Sequence, residues 1–195
     1  ASGKQGHAVA AALAAQGAEV TLISGPVQIP TPAGVKLISV TTADEMYNAE
    51  TQSLPADIFV GAAAVADWRM THVSPHKIKK HGKVSKLTLE LVPTRDILAE
   101  VASGKKRPDL VIGFAAETDS VEDYARKKLQ AKGCDFVLGN NVEGGKVFGA
   151  DENTIIFVTA KGESKWPKMS KRAVGEKLAQ EITDYFNTPK KRKSA

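Results

Sequence analysis

The sequence has very little cysteine, no long apolar run and no targeting pattern. Cys134 is the only cysteine in 195 residues, which excludes an internal disulfide bond and fits a reducing compartment. No apolar segment approaches the length needed to span a membrane, and there is no signal-peptide pattern. We therefore expect a cytoplasmic protein with no membrane partner.

Two nucleotide-binding signatures and one class of metal site are also missing. The glycine pattern GxGxxG is absent, and residues 2–4 (SGK) are only part of a phosphate-loop pattern, so a plain capping turn has at least equal support there. The histidines lack the spacing of metal ligands and are expected at the surface: His7, His72, His76 and His81.

Chain length and charge further limit the number of domains and the kinds of ligand that we expect. A chain of 195 residues is long enough for one well-buried core and short for two. Part of the formal net charge of +5 lies in residues 190–193 (KKRK), within a basic tail over residues 188–195 that we expect to be disordered. No aromatic or glycine-rich recognition module accompanies this run. The remaining positive charge is scattered among acidic residues, which suits an anionic small molecule better than a duplex.

Apolar periodicity alternates between strand and helix along the chain. It predicts strands near residues 19–23, 35–40, 57–60, 86–91, 110–114, 134–138 and 154–158. Helices are predicted near residues 7–16, 42–48, 96–102, 118–132 and 170–186. The candidate N-caps of the last four are Thr42 or Asp44, Thr94 or Asp96, Thr118 or Asp119, and Ser170. This alternation predicts an α/β fold with a Rossmann-like, doubly wound, mostly parallel sheet flanked by helices.

Residues 57–80 carry the most chemical information. The apolar run 58–60 predicts a buried strand that ends at Gly61, and three alanines follow. Small residues at the carboxyl end of such a strand leave room for a flat ligand, and open α/β sheets bind ligands at that edge. The stretch then adds one carboxylate and three ammonium groups: Asp67, Lys77, Lys79 and Lys80. It therefore predicts a site for a nucleotide with its metal.

Residues 86–91 (KLTLEL) alternate with period two, as in a half-buried strand. We expect one arm of a protruding β-hairpin here, with the lysine run 77–80 in the other arm. Such an arm often pairs with a partner subunit or closes over a site.

Three predictions concern side chains in the second half of the chain. Lys128 and Lys132 lie four residues apart on one helix face, where two lysines are most often simply solvated. Cys134 lies in an apolar strand pattern and is expected to be a core thiol. The last helix has a predicted inward stripe of Val174, Leu178, Ile182 and Phe186.

Six motifs, in their order and spacing, resemble the bacterial phosphopantothenate–cysteine ligase domain. They are SGKQG (2–6) before an alanine-rich helix, GAAAVADW (61–68), KIKK (77–80), DIL (96–98), GFAAET (113–118) and FGADEN (148–153). The resemblance implies a ligase domain over residues 1–187. In many members this domain is the C-terminal half of a bifunctional protein, so FMN is expected only in a fused decarboxylase half and not in this chain.

The resemblance implies CTP-dependent ligation of 4'-phosphopantothenate with L-cysteine, in coenzyme A biosynthesis. The substrate carboxylate attacks the α-phosphate of CTP, giving an acyl-cytidylate and pyrophosphate, and the amine of cysteine then displaces CMP. Negative charge builds up on phosphate oxygens, so the site requires cations. The family also implies Mg²⁺, a homodimer formed through the hairpin region, and no nucleic-acid partner.

The family motifs also imply roles for individual residues. Asp67 and Lys77 are expected to be catalytic, Asp67 as a contact to CTP and Mg²⁺ and Lys77 as a contact to the triphosphate. The implied CTP-binding residues are Gly61, Ala62, Ala63, Asp67, Lys77, Arg95, Asp96, Ile97, Leu98, Phe114, Lys128 and Lys132. This assignment reverses the solvated interpretation of the two helical lysines.

The sequence departs from the family pattern in two informative places. Family members carry an N-terminal strand and an Asn-containing loop before the SGK segment, and this sequence starts after both. The family often has Asn-Pro before the DIL motif, whereas this sequence has Thr94-Arg95. A different local turn and an added phosphate contact from Arg95 are both open.

Two other functions remain open from the residues alone. A nicotinamide-dependent oxidoreductase would share the α/β pattern, although the missing GxGxxG counts against it. A basic nucleic-acid-binding module would use the hairpin lysines and the tail.

Overall fold

The computed structural model describes residues 2–79, 86–117, 120–141 and 152–188. The helices over these residues are α1 (Lys4–Ala15), α2 (Ala43–Gln52), α3 (Ile97–Ser103), α4 (Val121–Lys132) and α5 (Lys171–Asn187). The strands are β1 (Val20–Ser24), β2 (Val35–Ser39), β3 (Ile58–Gly61), β4 (Trp68–Met70), β5 (Leu91–Pro93), β6 (Leu110–Glu117), β7 (Phe136–Asn141), β8 (Glu152–Asn153), β9 (Ile155–Thr159), β10 (Gly162–Lys165) and β11 (Met169–Ser170).

The central sheet has the strand order β10-β9-β7-β6-β3. Strands β3, β6 and β7 run parallel, while β9 and β10 join antiparallel at one side. Strands β1 and β2 form a parallel pair of their own, and β4–β5 and β8–β11 are short antiparallel pairs. The predicted α/β fold with a mostly parallel sheet is therefore confirmed.

Strand β6 is buried on both faces, which explains its uninterrupted apolar sequence. Leu110 and Ile112 face a core shared with α1 and α5. Val111 between them faces a second core shared with α4. A third cluster packs α2 against α3, with side chains from β1, β2 and β3 at its border. Helices therefore cover both faces of the sheet, as a doubly wound fold requires.

Helix starts follow the predicted capping residues where these are described. The Thr42 side chain accepts from Glu45 N at 3.1 Å in a reciprocal capping box at the start of α2. Asp96 and Ser170 cap α3 and α5, each through a side-chain oxygen that accepts from a backbone N–H of the first turn. Helix α4 follows Ser120, and the two predicted caps, residues 118 and 119, lie outside the described residues.

The hairpin is present, but its predicted strand bounds are wrong. Its ladder joins β4 to β5, and Thr71 N donates to Glu90 O at 3.0 Å just beyond it. Within the described parts, residues 71–79 and 86–90 form no strand, and Leu87 and Leu89 are exposed rather than half-buried. Alternation stabilises a strand only where a neighbouring strand or core covers its apolar face.

Two side chains also differ from their predicted environment. His7 is buried within α1, with Nδ1 3.0 Å from Gly3 O, because α1 packs along α5. Phe186 is exposed, although Val174, Leu178 and Ile182 of the same stripe are buried. Phe186 lies in the last turn of α5, beyond the core.

The exposure of the other histidines and of Cys134 agrees with the sequence where the structure describes these residues. His72 and His76 are exposed as predicted, while His81, Lys80 and most of the basic tail lie outside the described residues. Cys134 is buried as predicted, and burial raises the pKa of its thiol to about 11. No helix in the described parts of the chain is both long enough and apolar enough to cross a bilayer.

Candidate functional site

The candidate site begins where β3 ends beside the middle of the longer strand β6. Gly61 and Gly113 are paired in the parallel register of these strands. Leu98 of α3 packs against both glycines: a Cβ added at Gly113 would lie 2.9 Å from Leu98 Cδ2, and one added at Gly61 would lie 3.4 Å from Leu98 Cδ1. A side chain at Gly113 would therefore displace Leu98. Because both glycines lack a side chain, α3 can approach β3 and β6 closely here.

The alanines after β3 bring the first turn of α1 to the same place. Ala62 is half-buried and Ala63 is exposed. A Cβ added at Gly6 of α1 would lie 3.8 Å from Ala62 Cβ. The amino-terminal turn of α1, which follows the SGK segment, thus adjoins the end of β3, and helix N-termini present free N–H groups that favour anions.

Residues 94–98 form a loop and helix start that closes the site from a third direction. Thr94 N donates to Asp67 O at 2.8 Å, which ties the two segments together. Asp96 Oδ1 accepts from Ala99 N at 3.1 Å, and Ile97 is buried beneath the loop. Thr94 Oγ1 is buried without a hydrogen-bond partner among the described residues.

Both lysines of the α4 face reach this region. Lys128 Nζ donates to Phe114 O of β6 at 2.6 Å. Lys132 Nζ forms an ion pair with Asp96 Oδ2. These bonds fix α4 against β6 and the 94–98 loop at the same time, so the lysines are not simply solvated.

The charge state of Asp96 follows from these neighbours. Burial by itself raises its pKa, but the hydrogen bonds from Lys132 and from the Ala99 backbone, with the charges of Lys132 and Lys128, outweigh that effect. The pKa of Asp96 is therefore below its usual value. The carboxylate stays ionised near neutral pH and keeps both its cap and its ion pair.

Arg95 extends away from this network towards α2. Its Cζ lies 4.3 Å from the centroid of the Tyr47 ring, within the range of a cation–π contact. Its Nη1 lies 3.7 Å from Glu100 Oε2, and both side chains are exposed. The described contacts of the Arg95 side chain are thus with α2 and α3.

Asp67 and Lys77 have exposed side chains. The backbone of Asp67 is held by the bond from Thr94, whereas Lys77 lies in residues 71–79 beyond β4. No group of three or more His, Cys, Asp or Glu in the described ranges could hold a metal ion. A single exposed carboxylate fits Mg²⁺ that is bound mainly through substrate phosphates, but not a metal held by protein alone.

The structure brings together most of the residues predicted for CTP binding. These are Gly61, Ala62, the backbone of Asp67, Asp96, Ile97, Leu98, Phe114, Lys128 and Lys132. Lys77 shows no described contact with them. The prediction did not include Gly113, Thr94 or Tyr47. Gly113 lies in the GFAAET motif, which offered a signal, but nothing near Tyr47 in the sequence points to Arg95.

Comparison with known proteins identifies clear relatives. Residues 1–186 match the family described as the DNA/pantothenate metabolism flavoprotein C-terminal domain. The coenzyme A biosynthesis bifunctional protein CoaBC of Haemophilus influenzae is 42% identical over 186 residues, covering 95% of this chain and 46% of that protein. The CoaBC protein of Bacillus subtilis is 43% identical over 185 residues, covering 93% and 45%. The chain thus spans about half the length of the curated relatives it matches.

Solved structures agree with these matches. The crystal structure of the C-terminal domain of a CoaBC protein is similar with a TM-score of 0.78 at 31% identity, covering 95% of this chain and 84% of that one. A Cab2 mutant in complex with phosphopantothenate-cysteine shares the fold, with a TM-score of 0.75 at 16% identity over 95% of this chain and 78% of that one. The resemblance and the fold class predicted from the sequence are both confirmed.

Proposed function

Because the chain belongs to the family of DNA/pantothenate metabolism flavoprotein C-terminal domains, we propose that residues 1–187 form a phosphopantothenate–cysteine ligase domain of coenzyme A biosynthesis. The names of the CoaBC relatives support the pathway. Their greater length, together with the family name, supports a fused FMN-dependent decarboxylase half in a longer protein.

The proposed reaction joins 4'-phosphopantothenate to L-cysteine at the expense of CTP. The pantothenate carboxylate attacks the α-phosphate of CTP and forms an acyl-cytidylate, with pyrophosphate as the leaving group. The amine of cysteine then attacks the acyl carbon and releases CMP. Two anions must meet in the first step, so the protein must supply positive charge and hold the reactants in line.

The observation that carries the proposal is that small residues at the end of β3 (Gly61, Ala62 and Ala63), here called the notch, lie near two lysines of α4. Strand β3 ends at Gly61, beside Gly113 of β6, and the small residues at this place leave room where a flat base can lie. Lys128 of α4 reaches Phe114 of β6, and Lys132 reaches Asp96 of the 94–98 loop. Backbone groups beside residues this small can hydrogen-bond to cytosine, while the notch refuses a larger purine.

The proposed roles of the remaining residues follow from their positions. Asp67 and Lys77 act as the catalytic contacts to the triphosphate. A bound Mg²⁺, held by Asp67 and phosphate oxygens, would neutralise charge on the phosphates. The exposed segment that carries Lys77 allows its amine to close onto the triphosphate after CTP binds.

The hairpin supplies the proposed subunit contact. Several apolar side chains on its described part are exposed: Trp68, Val73, Ile78, Leu87, Leu89 and Leu91. A second copy of the chain would cover this surface in a homodimer. The proposed partners are otherwise small molecules in the cytoplasm, with no nucleic acid or membrane.

Nucleotide-dependent thermal stability tests the proposal directly. We expect CTP with Mg²⁺ to raise the melting temperature, since a ligand at a hundredfold excess over its Kd stabilises the folded state by about 2.7 kcal/mol. CMP release that requires both phosphopantothenate and cysteine would identify the reaction. Stabilisation by NAD(P)H alone would favour an oxidoreductase, and salt-dependent DNA binding without a CTP effect would favour a nucleic-acid-binding module.

A further inference from the structure

Arg95 and Tyr47 form a contact that joins α2 to the loop at the candidate site. The guanidinium carbon lies 4.3 Å from the ring centroid. Tyr47 packs against an apolar cluster that includes Met46 of α2 and Ile97 of α3. The ring is therefore anchored to the core on one side and meets the guanidinium on the other, so the contact transmits the position of α2 to the loop.

The 94–98 loop is held from several directions, and two of its side chains link it to α2: Arg95 through the Tyr47 ring, and Ile97 through the apolar cluster that includes Met46. Thr94 binds the backbone of Asp67, and Asp96 pairs with Lys132 of α4. Ile97 is buried. A loop that contacts three separate elements has little freedom to shift. Loss of one of these contacts lets the loop backbone move relative to β3 and β6.

We propose that Tyr47 and Arg95 are a positioning pair that sets the 95–98 backbone against the nucleobase and thereby contributes to the choice of cytosine. This inference rests on the proposed function, in which that backbone contacts CTP. Arg95 then acts through its loop and not as a ligand of the triphosphate, because its charge is already directed to Tyr47 and Glu100. Discrimination between bases by hydrogen bonds requires the backbone groups to be held in fixed positions. A misplaced donor weakens binding of the correct base without weakening binding of the wrong one.

Four variants and two nucleotides test the pair. Affinities for CTP and UTP, each with Mg²⁺, are measured by calorimetry on the 195-residue chain. We expect Tyr47→Leu and Arg95→Ala each to weaken CTP binding about two- to fivefold, the range of an exposed cation–π contact, and to lower the CTP-to-UTP preference by the same factor. The double variant should be no worse than either single one, because both remove the same contact. Tyr47→Phe keeps the ring and should behave like the unaltered chain.

A second cation–π contact supplies the matched control. Lys177 Nζ of α5 lies 4.7 Å from the Trp166 ring centroid, and neither residue is among those predicted to bind CTP. Lys177→Met should leave both nucleotide affinities unchanged. Because Tyr47 also packs on the core, melting temperatures without nucleotide are compared first. If Tyr47→Leu unfolds the chain, Arg95→Met carries the test, since it keeps an aliphatic stem and removes the charge.

The possible contrary results separate two kinds of failure. If the unaltered chain binds no CTP, both the proposed function and the positioning role are overturned. If it binds CTP but Tyr47→Leu changes nothing, only the positioning role is overturned. Equal losses of CTP and UTP affinity in Arg95→Ala alone would show a direct phosphate contact, and additive effects in the double variant would show that the two side chains act independently.

Discussion

At the residue scale, the candidate site depends on charges that are held by distant parts of the chain. Lys128 donates to a carbonyl 14 residues before it, and Lys132 pairs with Asp96, 36 residues before it. Lys132 is in direct contact with a carboxylate, whereas Lys128 donates to a neutral carbonyl and its charge acts on Asp96 only from a distance. The two lysines are therefore not equivalent, although they occupy one helix face.

Lys77 gives the most direct test of a single residue. In the proposed function its amine contacts the triphosphate, whereas Lys80 in the same run does not. We expect Lys77→Ala to weaken CTP binding roughly tenfold or more, since a charge-assisted hydrogen bond contributes about 1.5–3 kcal/mol. Lys80→Ala removes the same net charge and serves as the control. Calorimetric titration with CTP and Mg²⁺ measures both, and equal, mild effects would show that the run is only a solvated surface.

The sequence motifs predict a set of candidate site residues, and the structure gives partners of these residues that the motifs do not predict. The glycine and alanines after β3 could be placed at a strand end from the apolar run alone, and the structure has them there. The α4 lysines were ambiguous without the family resemblance, because spacing defines a shared face but not what lies opposite it. Tyr47 could not be predicted, since its contact with Arg95 arises only when α2 and α3 pack together.

At the element scale, α2 contains an unusual carboxyl group. Glu50 Oε2 is buried without a hydrogen-bond partner among the described residues. Burial raises the pKa of Glu50 from its ordinary value of 4.5 to about 7. A buried carboxyl group without a partner is more stable protonated, so α2 carries a neutral acid below that pH and a buried charge above it.

Glu50 makes the stability of the chain depend on pH in a defined direction. Between pH 4.5 and about 7 the folded chain holds a proton that the unfolded chain has released. The free energy of unfolding therefore falls as the pH rises through this window, by at most about 1.4 kcal/mol per pH unit, and levels off above it. We expect Glu50→Gln to reduce this slope and to raise the melting temperature at pH 8.

Urea unfolding between pH 4.5 and pH 8.5 measures the effect of Glu50. Glu19→Gln is the matched control, because Glu19 is an exposed carboxyl group in the segment between α1 and β1. It should leave the pH dependence unchanged. A Glu50→Gln variant whose stability follows pH as steeply as that of the unaltered chain would show that other groups cause the slope.

Helices and strands could be predicted where the residues that determine their ends are close together in the sequence. Helix starts at Thr42, Asp96 and Ser170 could be predicted because a capping side chain binds a backbone N–H within the next turn. The hairpin strands could not be bounded in the same way. Residues 86–91 alternate, yet the ladder begins only at Leu91, since pairing depends on which residues of β4 face it.

At the scale of the whole molecule, the apolar surface divides into a covered part and an uncovered part. The clusters around β6 and β7 are buried on both faces of the sheet. The described part of the hairpin instead exposes Val73 by 84% and Leu87 by 63%. Apolar side chains that alternate along an exposed segment indicate a surface that another chain covers, and the proposed homodimer provides one.

Substitutions on the hairpin test the proposed dimer. We expect Leu87→Glu combined with Leu89→Glu to convert a dimer into a monomer, because two carboxylates would be buried without partners in the interface. Sedimentation equilibrium over a range of protein concentrations measures the mass. Leu37→Glu is the control, since Leu37 is also exposed but lies on β2, outside the hairpin. A double variant that remains dimeric would place the subunit contact elsewhere, and an unaltered chain that is monomeric throughout would exclude a dimer.

The same variant tests whether the nucleotide site lies within one subunit. If the variant is monomeric and still binds CTP, each subunit contains a complete nucleotide site, which is the result expected from a site built on β3, β6 and α4 of one chain.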